Sequence, residues 1–113
     1  MLDEFCHALP FLKQLPVELL MGLDTSTLYI PSGAIAQIRC ELEQKLNYHI
    51  MTYRSVLPVL NEHEKLHLCR LLVPASLTLT EMKHVRQAEI ACQDEGVVLV
   101  AYEKPLRLRK QPT

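Results

Sequence analysis

His63, Glu64 and His67 spell H-E-x-x-H inside the stretch NEHEKLH, residues 61–67. On a helix, two histidines four residues apart share one face and bind zinc, and the glutamate acts as base on the bound water. A third ligand has to come from elsewhere, and Glu89, 22 residues beyond His67, is the candidate. Cys69 is not one, because at about 100° per residue it points roughly away from both histidines. The same letters also describe the start of a helix. Asn61 is an N-cap residue, Glu64 follows three later as in a capping box, and Glu62 and Glu64 place carboxylates at the positive end of the helix dipole. His63, His67 and Arg70 make one stripe, and a guanidinium beside a dication opposes its binding. A helix start explains Asn61, Glu62 and Glu64 together. The expectation is therefore a protein that is not an enzyme and has no metal or cofactor. A zinc metallopeptidase using His63, Glu64 and His67 is the remote alternative.

Other catalytic patterns are thinner. The chain has three glycines and neither of the glycine-rich phosphate motifs. His7, His49 and His84 are isolated in sequence, which suits surface or core-edge positions. No small-molecule site is evident. Cys6, Cys40, Cys69 and Cys92 are scattered without a C-x-x-C pair. They read as small core residues in a reducing compartment. Asp3 and Glu4 come at once, and no basic stretch precedes an apolar run, so the start does not resemble a signal peptide. No apolar run reaches the length of about 18 residues that a membrane span needs. The expected location is the cytoplasm.

The 113 residues match one ordinary domain, and 49% are apolar, so a core can form without staples. A net charge of −1 provides no global field toward nucleic acid or an anionic membrane. Residues 1–24 read as apolar helices, with Pro16 suited to a first helical turn. TLYI, residues 27–30, is a short β-prone run stopped by Pro31. Ser32 then caps the longest periodic segment. Ile35, Ile38, Leu42, Leu46, His49, Tyr53, Val56 and Leu60 step by three or four, which predicts a central helix over about 33–57, ended by Pro58. Such a helix is about 36 Å long. That length suits packing against a twin in a homodimer, through Ile38, Leu42, Leu46 and Tyr53, and equally a central helix wrapped by its own chain. A helix from Asn61 to about Leu72 follows, then a helix over 79–94 with a Thr78/Glu81 capping box and Gly96 at its end. Residues 97–110 read as a β-hairpin turning at Glu103-Lys104-Pro105. No internal repeat is visible. The predicted fold is α+β and mostly α: one domain over 1–113, a bundle of about five helices around the 33–57 helix, with a short strand and a C-terminal hairpin.

Two helices followed by a hairpin, over 61–110, look like a winged-helix DNA-binding unit. Its reader helix needs a polar face, and Lys83, Arg86 and Gln87 cluster on one side of helix 79–94, opposite Val85, Ala88, Ala91 and Cys92. Arg107, Arg109 and Lys110 would be wing contacts to phosphates. The stretch FLKQLPVELLMGL…YIPSGAIA, residues 11–36, together with a long helix and a winged-helix unit, resembles regulators of the CRP/FNR type without their nucleotide-binding β-roll. That resemblance implies a dimeric DNA-binding transcriptional regulator, and no nucleotide-binding residue carries over. The competing expectation is an adaptor, chaperone or anti-activator that binds a protein partner through an apolar helical surface, with the N-terminal stretch FCHALPFLKQLPVELLMGL, residues 5–23, as the candidate.

Overall fold

A computed structural model of the chain describes residues 6–17, 27–55, 60–65, 68, 72–104 and 106. The fold is α+β, and helix outweighs strand among the described residues. The elements used below are α1 (Gly33–Leu46), β1 (His49–Arg54), α2 (Glu62–Lys65), α3 (Leu79–Cys92) and β2 (Val97–Tyr102). A 3-10 turn, Pro10–Gln14, precedes them, and a second, Gln93–Glu95, joins α3 to β2.

α1 begins where the sequence places it, after Ser32 in extended backbone. It does not run to 57. Asn47 adopts a left-handed φ of 58°, and its N–H donates to the Glu43 carbonyl at 3.0 Å, which closes the helix at Leu46. Residues 49–54 then form a strand. The three-and-four spacing through His49 and Tyr53 carried the expected helix across this boundary. The physical reason lies in burial. His49 to Tyr53 are all buried, and so is every residue of β2. A strand covered on both faces loses its two-residue alternation, and its apolar run no longer distinguishes strand from helix.

β1 and β2 pair antiparallel, His49 opposite Tyr102 and Arg54 opposite Val97. The expected C-terminal hairpin is therefore half present: β2 is a strand, but its partner is β1. The proposed second strand, with residues 107–110, lies outside the described residues. Each edge of the pair is extended by a short stretch of chain. Leu28 bridges Tyr53, with the Tyr29 N–H donating to the Thr52 carbonyl at 3.1 Å. Pro74 bridges Tyr102, and the Ala75 N–H donates to the Ala101 carbonyl at 2.9 Å. The run leading into α3 is thus extended at Pro74 and Ala75, where a helix-turn-helix would have a tight turn between helices.

An order emerges that the letters do not show. An edge stretch, a fourteen-residue helix and a six-residue strand occur twice, over 27–54 and 72–102. The two six-residue strands are antiparallel neighbours at the centre, so the halves face each other across a local two-fold. α1 packs on β1, α3 on β2, and the helices touch each other. On the helix side, Ile35, Leu42, Leu46, Val85 and Cys92 meet Ile50, Val97, Leu99 and Ala101. On the other side, Leu9, Phe11, Leu12 and Leu15 cover Met51, Tyr53, Val98, Val100 and Tyr102. The sheet is the middle of three layers. No helix among the described residues is long and apolar enough to cross a membrane.

Candidate functional site

Two carboxylates occupy equivalent places in the halves. Glu43 and Glu89 are each the eleventh residue of a fourteen-residue helix. Both turn toward the sheet, and each accepts a strand N–H: Ile50 to Glu43 Oε2 at 3.0 Å, Leu99 to Glu89 Oε2 at 3.3 Å. Ladder geometry explains why. Thr52 and Arg54 bond outward to the 27–29 edge, so Ile50 faces outward too, but that edge leaves at Pro31. Ala101 bonds outward to Ala75, so Leu99 does as well, beyond the point where the chain turns into α3. A buried N–H without an acceptor costs about 1–3 kcal/mol. Each glutamate supplies the missing acceptor.

A carboxylate drawn wholly or partly out of water needs its own counter-charge. Glu43 has Arg39, one turn earlier on α1, at 2.6 Å, and the same guanidinium nitrogen donates to the Ile50 carbonyl at 3.1 Å. Glu89, 0% exposed, is paired with the Lys65 ammonium from α2, itself 4% exposed. Glu89 is therefore the anchor of an ion pair and not a spare metal ligand. A small cleft of about 20 Å³ lies beside Lys65, lined by Pro74, Ala75, Leu77 and Val85 among others, which is room for about one water. Burial and then the Glu89 charge push the Cys92 thiol up from its ordinary range, which makes it a poor nucleophile.

His49 opens β1, three residues after α1 ends at Leu46. It is 4% exposed, and neither ring nitrogen has a hydrogen-bond partner among the described residues. Its ring stacks on Phe11 at 4.7 Å, and the Arg39 guanidinium lies 5.9 Å from the same Phe11 ring. Burial lowers its pKa below the usual 6.5; Glu43 opposes the shift, and Lys104 and Arg39 add to it.

The outer face of α3 is the exposed counterpart of these buried groups. Lys83, Arg86 and Gln87 are exposed together, as the sequence predicts. Leu79 and Ile90 extend the same stripe and are 79% and 55% exposed. Arg107, Arg109 and Lys110 lie outside the described residues. No protein-family model, curated protein or solved structure matches the chain.

The remaining predicted positions scatter. Leu42, Leu46 and Tyr53 are buried in the chain's own core, and Ile38 is half-buried against it. Pairing of two copies would have to use other surface. Asn61 Oδ1 accepts the Glu64 N–H at 2.9 Å, so the helix start within NEHEKLH is real. His63 is exposed, His67 lies outside the described residues, and no group of three His, Cys, Asp or Glu side chains comes together among the described residues. Sequence reasoning missed Lys65 and Arg39 as buried charges and Glu43 as the half-buried companion of Arg39 on α1. Arg39 and Glu43 carried one signal: they are four apart and flank Leu42 on the apolar side of α1.

Proposed function

We propose that this chain is a small non-catalytic regulatory protein that binds another protein through the outer face of α3. The observation that carries the proposal is the exposure of Leu79 and Ile90 on the stripe that also bears Lys83 and Arg86. A solvated helix face needs only the cations. Two large apolar side chains at its ends lose free energy to water unless something covers them, at roughly 1.5–3 kcal/mol for each full burial. Cations flanked by apolar anchors fit an acidic, amphipathic segment, with Leu79 and Ile90 seated in its apolar side. Cys6, Cys40 and Cys92 are free thiols, which favours the reducing cytosol.

A photo-crosslinking residue placed at Gln87 captures the partner in cells, and binding of the purified pair is then measured. We expect Lys83→Glu with Arg86→Glu, and separately Leu79→Ser with Ile90→Ser, to weaken that binding by at least about tenfold. Unchanged affinity in both double variants overturns the proposal.

Duplex DNA is the second reading, favoured by the grouping of Lys83, Arg86 and Gln87 and by the resemblance to winged-helix regulators. It expects DNA affinity to fall linearly with salt on logarithmic axes, and Arg86→Ala and Arg107→Ala to weaken binding and flatten that slope. Absence of salt-dependent binding at low ionic strength removes it.

A further inference from the structure

We propose that His49 is an acid-operated latch on the Pro10–Gln14 turn: protonation of its ring breaks the stack with Phe11 and releases the turn from the sheet. The latch is separate from the α3 face, and neither proposal depends on the other. His49 sits where a buried histidine is hardest to charge. Both ring nitrogens lie in the interior without a partner, so a second proton enters with no acceptor waiting for it. The charged neighbours mostly oppose it. From α1, Arg39 lies over the same Phe11 ring. From the chain after β2 comes Lys104, and Tyr102 of β2 is the residue opposite in the ladder. Among the described residues, only Glu43 attracts the imidazolium, and its Oε2 already accepts from Arg39 and from the Ile50 N–H. Lys13, on the turn itself, is exposed and supplies no counter-charge.

The cheapest route to water lies past Phe11. Hydrogen bonds of this turn among the described residues are internal, Leu12 N–H to Leu9 and Leu15 N–H to Leu12, both at 3.0 Å. Apolar contact of Leu9, Phe11, Leu12 and Leu15 is what holds it to the sheet. β1, by contrast, is tied along its length to β2. Acid therefore opens the cover before the sheet.

The sign follows from the lowered pKa. The closed form binds fewer protons than the open form below pH 6.5, so closure is fully present above that pH and weakens as pH falls. Hydrogen exchange between pH 7.5 and 5 tests this, with rates corrected for intrinsic pH dependence. Protection at the Leu12 and Leu15 amides should drop up to about tenfold per pH unit below the onset, the limit for one coupled proton, while the Val85 amide keeps its protection. His49→Phe, which keeps a ring against Phe11, should abolish the drop. Lys104→Glu, at an exposed position, replaces a repelling charge by an attracting one, which raises the closed form's pKa toward that of the open form and should make the drop smaller. The latch is overturned if Leu12 and Leu15 hold to pH 5, if Val85 opens with them, if folded His49→Phe opens as wild type does, or if Lys104→Glu leaves the depth of the drop unchanged.

Discussion

Lys65 and Glu89 are charged residues in the interior, and each is there because of the other. Glu89 is fixed by the Leu99 N–H, and the ammonium of Lys65 neutralises it. Removing one partner strands the other, which costs about 3–5 kcal/mol for a buried pair. Lys65→Met therefore destabilises strongly, because the Glu89 carboxylate remains in an apolar shell of Val85 and Leu99. Glu89→Gln added to Lys65→Met should restore much of the loss, since the amide oxygen still accepts from Leu99 and no charge is left uncompensated. Urea denaturation of the wild type, both single variants and the double variant measures the coupling. A double variant no more stable than Lys65→Met would show that the pair is not held as described. Neither residue reveals this in the sequence. A lysine after Glu64 in a polar stretch reads as surface, and only the arrival of α3 from 24 positions later buries it.

At the scale of elements, the junctions from helix to strand decide the fold. α1 passes to β1 through left-handed Asn47, and α3 passes to β2 through Gly96 at φ 66°. A Cβ at Gly96 would lie 3.3 Å from the Ser55 carbonyl, tight against backbone that cannot swing away. That carbonyl belongs to the residue whose N–H closes the ladder on Gly96 itself. Gly96→Ala thus combines left-handed strain of roughly 1–2 kcal/mol with this crowding, and thermal unfolding should show a lower midpoint. An unchanged midpoint would mean that the junction relaxes freely. The Gly96 junction was legible, because a capping box at Thr78 and Glu81 and a glycine after 94 bracket one helix, and both hydrogen bonds of the box form. The Asn47 junction was not. Asparagine is a weaker stop than glycine, and the apolar spacing ran on through it. The face of α3 with Lys83, Arg86 and Gln87 was legible because helical spacing alone places side chains on a bounded helix. The Lys65–Glu89 pair joins α3 to chain 24 positions away, and no local pattern carries that.

At the scale of the molecule, the sheet has two dry faces and is thin for that duty. Helices α1 and α3 cover one face, and the other depends on Leu9, Phe11, Leu12 and Leu15, together with Leu28, Leu60 and Leu72. Burying each of the first four contributes roughly 1.5–3 kcal/mol, so together they are worth about 6–12 kcal/mol. A whole domain is stable by only about 5–15 kcal/mol. Deleting residues 1–16 therefore removes a contribution comparable to the net stability and leaves Met51, Tyr53, Val98, Val100 and Tyr102 only partly covered by Leu28, Leu60 and Leu72. The two helix–strand halves cannot compensate, since each depends on the other's central strand and on the shared cover. The shortened chain should bind the dye ANS strongly and lose near-ultraviolet circular dichroism while keeping most of its helical signal, the behaviour of a collapsed chain without fixed packing. If it unfolds cooperatively with the midpoint of the full chain, the cover is dispensable, and the core must be sought on the helix side alone.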